Sequence, residues 1–420
     1  YLPLSYDEAY TFLQFVDRSL FYAFCTYPAP NNHVFHSIFS NFSWHLFSWS
    51  HLNLFIRLPA IIASVLLFAV FSKRIAKKDI LLIACFMVLI LLNLPFLSFS
   101  FQARGYSMQI LFAVVSVLFI NKPSTNDTFK FNNQSILLFS LMGLYTSPAY
   151  LFTFLGIYSV FFIQNLNLFK KNIAYIFYTT LFFSCTIILL YAPIMVFRGY
   201  ESITNNRFVR PLESFNIPFL ASHYKSSLTE ITGGSVITIL IFTLFIWFSI
   251  SKKKWPNFLI LIVPFLLMMV LNQAPFTRVF LPISFSIIAF VFLDIKLSFK
   301  PNSLKRHVIS GVIVCIALAV STYNFFKIPN GGLQSSVNVK YLSKYFDSHL
   351  KIHDETHDYL KTAIIGNLIS SKKPYEIITS ETEIKKGSII LFSENFNDNI
   401  KIIDSTDSYN KKVFIGIMED

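Results

Sequence analysis

Two adjacent carboxylates, Asp7 and Glu8, stand just ahead of an apolar run in a stretch otherwise poor in acids. Carboxylates so placed suit a general base that takes a proton from a hydroxyl. They suit equally the first turn of a helix, where acids complement the macrodipole. The pair alone does not decide between these readings. Other chemistries are less well supplied. Cys25, Cys85, Cys185 and Cys315 lie far apart, in neither a disulfide framework nor a zinc spacing. His353-Asp354-Glu355-Thr356-His357 lacks the order and spacing of HExxH and reads as structural. With no convincing DxD motif and no His-rich cluster, no metal and no cofactor are expected.

The elements that must position such residues follow from composition. Hydrophobic residues make up 54% of the 420 and charged residues 14%, with a mean hydropathy of +0.56. Soluble domains carry roughly a quarter charged residues. Nine of the 22 acids fall in residues 1–320 and thirteen in 321–420. The chain therefore divides into a membrane domain, 1–328, and a small soluble C-terminal domain, 329–420. The net charge of +13 would suit nucleic acid only if Lys and Arg gathered on one accessible face. They sit instead in short loops between apolar runs, so no nucleic-acid partner is expected.

Spanning a bilayer takes about 20 apolar residues. On that scale the sequence predicts an all-α polytopic membrane protein with ten helices, near 54–72, 80–97, 106–120, 135–146, 150–165, 173–197, 236–251, 257–272, 278–295 and 307–326. The chain opens at Tyr1 on a loop-like segment, and one further helix is expected upstream. Residues 33–52, studded with His33, His36 and His45, suit an amphipathic helix at the interface. In the tail, 338–350 and 355–370 read as helices, and EIITS, SIILFSE, KIIDS and KVFIGIM as strands of an α/β domain.

Alternating the connections puts loops 73–79, 121–134, 166–172, 252–256 and 296–306 on one side, with 15 Lys and Arg. The other side has loops 98–105, 147–149, 198–235 and 273–277, with five. The positive-inside rule makes the first set cytoplasmic. Residues 1–50, Arg104, the long loop 198–235 and the tail then share the outer face. The assignment depends on reading 135–165 as two helices broken at Ser147-Pro148.

On that face a series of short motifs occurs in order: Asp7-Glu8-Ala9-Tyr10-Thr11, Pro30-Asn31-Asn32-His33, Arg57-Leu58-Pro59, and Gln102-Ala103-Arg104-Gly105-Tyr106. In this order they resemble the GT-C fold glycosyltransferases of the family 39-like group, which contains the protein O-mannosyltransferases and the bacterial lipid A aminoarabinose transferases. The motifs cover residues 5–150, and topology alone extends the resemblance further.

The resemblance implies an inverting membrane glycosyltransferase that moves a sugar from a polyprenyl-phosphate donor to a lipid, glycan or protein acceptor on the periplasmic or lumenal face. Usage of Lys, Asn, Ile and Phe points to a bacterium, and for a bacterial chain the resemblance implies the inner membrane. It implies Asp7, or Glu8, as the base, matching the acidic residue after the first membrane helix of such enzymes. The departing phosphate calls for a guanidinium, a planar bidentate partner for an anion, and Arg104 is the leading candidate. A snorkelling interfacial role suits Arg104 as well. Tyr106 belongs to the same motif. Asn32 and His33 suit substrate binding, although His33 also suits a helix start held by its Asn neighbours. Arg207 and Arg210 in the long outer loop are further candidates for donor phosphate. Gln102 stands where some members have a second acid, which weighs against a two-carboxylate or metal-bridged site.

Two other readings share the topology. An O-antigen-polymerase-like enzyme would carry its chemistry in 198–235 rather than at Asp7. A lipid or polysaccharide transporter would place ionisable residues inside its spans, and these spans are almost free of them.

Overall fold

The computed structural model describes residues 4–27, 32–47, 53–76, 79–91, 93–120, 125–199, 201, 212, 214–299, 304–326, 342, 350–353, 358–370, 373, 375–378, 389–392, 400–408 and 411–418. It forms two compact units, one of Tyr1–Ala23, Ser37–Leu58 and Pro329–Asp420, the other of Phe24–His36 and Pro59–Ile328. Residues 1–23 and 37–58, assigned by sequence to the membrane domain, thus group with the tail.

The helices are α1 Tyr6–Thr11, α2 Leu20–Cys25, α3 Val34–Leu46, α4 Leu54–Val70, α5 Ile80–Leu91, α6 Leu94–Phe101, α7 Tyr106–Ile120, α8 Asn126–Thr146, α9 Leu151–Gln164, α10 Leu166–Lys171, α11 Ile173–Arg198, α12 Ile217–Ile231, α13 Ser235–Ser251, α14 Leu259–Leu271, α15 Leu281–Ser298 and α16 Leu304–Phe326. Each of the ten expected segments is helical. Among the described residues, Leu54–Ile75, Ile173–Arg198 and Thr277–Ser298 are each long and apolar enough to cross a membrane, and two bent helix pairs pass together. The protein is polytopic.

Burial separates the helices by role. Of the apolar window of Thr277–Ser298, 89% is buried, against 17% for Ile173–Arg198. The latter presents Phe177, Phe182, Leu189 and Val196 outward, a surface that only lipid can solvate at low cost. The centre of the second unit is α7 and α15, each buried along nearly its whole length.

The Ser147-Pro148 break is a hairpin. Ser147 is extended, as the residue before a proline should be. Beyond it Tyr158 donates to the Asn133 side chain at 3.0 Å, and Phe161 stacks on Phe129 at 5.6 Å. Contacts also sort the loops as the charge count did. Asn172 donates to Asn126 and Lys296 to the Arg74 carbonyl, within the Lys-rich set, and Gln164 donates to Asn257 beside it. His223 meets the Pro275 carbonyl, and Asn93 donates to that of Ile231, close to or within the other.

Three boundaries differ from expectation. Helix α8 begins at Asn126 because Thr125 caps it with Asp127 in its first turn. The segment 80–97 breaks where the Asn93 side chain caps α6 ahead of Pro95. The long loop holds a helix, α12, started by Asn216 and Pro218. Leu220, Tyr224, Leu228 and Ile231 form its buried stripe at helical spacing. It bends 99° into α13 at Gly233 and Gly234, whose φ of 103° and 107° suits glycine alone.

In the first unit, strands β1 Leu350–His353, β2 Tyr375–Ile378, β3 Ile389–Phe392, β4 Ile400–Ser408 and β5 Lys411–Met418 form a sheet of order β2-β1-β3-β5-β4. Parallel β1 and β2 are joined through helix α17, Asp358–Ser370. The expected α/β tail is therefore present, with one more strand, β1, than the sequence predicts. The expected helix 338–350 lies almost wholly outside the described residues.

Candidate functional site

The chain turns sharply between α6 and α7, with Arg104 N–H donating to the Gln102 carbonyl at 2.7 Å. This turn sets Arg104 at the mouth of α7, only 1% exposed. Gln102 donates its amide to Ser98 and so serves the turn. Arg104 Nη2 donates to the Tyr106 hydroxyl at 3.4 Å, and the guanidinium lies 5.6 Å from that ring's centre. A second guanidinium, that of Arg278, lies 5.8 Å from the same ring and 5.0 Å from Phe276. Tyr106 thus takes two cations on one aromatic ring, each a cation–π contact.

His33 meets Tyr106 edge-on at 4.7 Å. It is 2% exposed, and neither ring nitrogen has a hydrogen bond among the described residues. Gly105 makes the fit possible. A Cβ there would overlap Thr146 Cγ2 and come within 3.0 Å of His33 Nδ1, so the Arg-Gly-Tyr motif needs its glycine for packing. Burial first, then the charge of Arg104, with His36 and Arg278 adding, holds His33 well below the usual histidine range. Burial and then Arg104 push His36 down to about 3. Both imidazoles are therefore neutral at physiological pH, and the positive charge of the site comes from arginine.

Tyr27 hydrogen-bonds Ser147 close by, and burial raises its hydroxyl above the ordinary phenol range. Asn32 donates to the Thr26 carbonyl at 2.7 Å, which folds the segment before His33. Below Arg278, helix α12 is fastened by Ser227 to Thr277 at 3.3 Å and by Thr232 to Ser284 at 2.9 Å.

Asp7 and Glu8 belong to the first unit, Arg104, Tyr106, His33 and Asn32 to the second. Glu8 is 1% exposed, with Oε1 on Arg57 Nε at 2.7 Å and Oε2 on Arg57 Nη2 at 2.9 Å. Ser5 donates its backbone N–H and hydroxyl to the same Oε2, half of a capping box. Asp7 is half-buried in the first turn of α1. Arg207 and Arg210 lie outside the described residues, as does most of the His353-to-His357 motif. Arg278 is not among the residues the sequence predicts for the site, because it stands at the first position of the apolar span 278–295. A lone charge at the mouth of such a span was the available signal.

No protein-family model and no curated protein matches this sequence. Among solved structures it is similar to one described as ArnT from Cupriavidus metallidurans bound to undecaprenyl phosphate, with a TM-score of 0.56 and 8% identity, covering 99% of this chain and 94% of that one. The chain has a GT-C-like fold. The fold expected from the motifs of residues 5–150 thus extends across the polypeptide. Within it the Arg-Gly-Tyr turn packs against Thr146 at the end of α8, and Arg278, just ahead of α15, lies over the Tyr106 ring.

Proposed function

We propose that the protein is a membrane glycosyltransferase that takes a sugar from a polyprenyl-phosphate donor and passes it to a hydroxyl of a lipid, glycan or protein on the periplasmic face of a bacterial inner membrane. The observation that carries this is the pair of guanidiniums, Arg104 and Arg278, sharing Tyr106 at the mouths of two buried helices. The fold supports it, since the similar solved structure is of a protein bound to undecaprenyl phosphate.

In the proposed reaction the acceptor oxygen attacks the anomeric carbon while the bond from that carbon to the phosphate oxygen breaks. The bonding pair leaves with the phosphate, and configuration inverts in a single displacement. Asp7 takes the acceptor's proton. Asp7 is proposed as the base on the motif it heads; both oxygens of its neighbour Glu8 are held by Arg57 and Ser5. Charge grows on the departing phosphate, where fixed guanidiniums in a low-dielectric setting stabilise it most. Arg104 and Arg278 take that charge, and the neutral His33 supplies a hydrogen bond without adding a cation.

The test is transfer from a polyprenyl-phosphate sugar in proteoliposomes. Asp7→Asn is expected to lower kcat by on the order of 10²- to 10⁴-fold, and Arg104→Ala by 10²- to 10³-fold or thereabouts. Full transfer by Asp7→Asn would remove the base.

A further inference from the structure

Helix α1 has only six residues, too few to be stable in isolation, and it carries Asp7. Its position is therefore set by what grips it. Glu8 and Arg57 form one grip. The other comes from the tail. Asn367 of α17 pairs with the backbone of Leu4 like an added strand residue, its Oδ1 accepting from Leu4 N–H at 2.8 Å and its Nδ2 donating to the Leu4 carbonyl at 3.0 Å. The amide is 4% exposed, and it also donates to the Ala363 carbonyl at 2.7 Å. A buried amide is costly unless bonded, and here its bonds run to the residues that lead into α1. One position earlier, Gly366 lies flat against α1. A Cβ there would stand 2.6 Å from Ala9 Cβ and 3.1 Å from Ala9 Cα, so at this point the two helices meet across the Ala9 methyl with no room for a second one. Helix α17 is in turn fixed to its sheet, Ile364 and Leu368 packing with Leu350, Ile352 and Leu391.

We infer that the tail has a part in the reaction: α17, through Asn367 and Gly366, fixes the position of Asp7, which makes Asn367 a positioning residue for the base. The inference rests on the reading of Asp7 given above. It gives the α/β unit a role beyond solubility, since a loosely held carboxylate loses catalytic effect steeply with displacement.

The experiment uses the full chain in proteoliposomes and reads kcat, donor KM and amide exchange of residues 4–11. Misplacing a catalytic group by about 1 Å costs on the order of a hundredfold. Gly366→Ala, whose new methyl must displace Ala9, and Asn367→Ala are expected to lower kcat at least about tenfold with donor KM within about twofold. Both are expected to speed exchange over residues 4–11. Combining Gly366→Ala with Ala9→Gly returns the methyl to a single side of the contact and restores kcat, a rescue that a merely misfolded tail would not show. Wild-type kcat in Gly366→Ala and Asn367→Ala beside an inactive Asp7→Asn would overturn the inference alone. Full transfer by Asp7→Asn would overturn the base reading and the inference with it.

Discussion

The two sets of membrane loops treat positive charge in opposite ways. The Lys-rich set carries 15 Lys and Arg, and Lys252 and Lys253 stand in the open. Lys254 of this set pairs with Asp294 at 2.6 Å and so ties a loop to α15. The other set carries a third as many, yet its Arg104 is buried and is joined by Arg278 over a shared ring. Exposed lysines in short loops bias orientation at little cost each, whereas the buried guanidinium is the group to which the proposed function gives an anion to meet.

That contrast can be broken by substitution. Arg104→Ala carries the largest expected loss, the 10²- to 10³-fold or so given above, while Lys252→Ala on the opposite loops leaves transfer within about twofold because an exposed lysine makes no fixed contact. Comparable losses in both variants would erase the distinction. Next comes Arg278→Ala, half-buried, with an expected loss of about tenfold that appears mainly in donor KM. Because Arg104 and Arg278 share Tyr106, the double variant should lose less than the product of the single losses, and strict additivity would show that they act on separate groups.

A pH scan sharpens the comparison from the histidine side. His36 is held at about 3 in the fold, below the ordinary histidine value near 6.5. Between these values the unfolded chain binds more protons than the native one. Stability is therefore full above about pH 6.5 and is lost as pH falls, with a slope approaching about 1.4 kcal/mol per pH unit for each such histidine. The thermal midpoint of wild type should drop more steeply from pH 7 to pH 5 than that of His36→Gln, and parallel curves would contradict a buried neutral imidazole. The smallest expected effect is that of a chelator. With two arginines supplying the charge, transfer should be unchanged in excess EDTA, and its abolition would call for a metal.

Much of the membrane architecture was legible because each span is a continuous apolar run ended by charge, Pro or Asn. The Ser147-Pro148 hairpin was legible for a local reason, since proline bars its predecessor from the helix. Helix α12 was not, because its buried stripe is diluted by His223, Lys225 and Glu230 in a sequence that reads as a charged loop. The site was legible at Arg104 and Tyr106, which are close in sequence. Arg278 joins them from 174 positions away and no local pattern announces that. The grip on Glu8 comes from Arg57, 49 residues on, and the pairing of Leu4 with Asn367 spans 363. Such partners are chosen by the fold.

The most direct test of this account is the equilibrium binding of undecaprenyl phosphate to wild type, Arg104→Ala and Lys252→Ala in lipid nanodiscs. Removing a buried charge-assisted contact should cost on the order of 2 kcal/mol, a roughly thirtyfold rise in Kd for Arg104→Ala, with Lys252→Ala indistinguishable from wild type. Equal affinities for wild type and Arg104→Ala would contradict the claim that the buried guanidinium is there to meet the donor's phosphate.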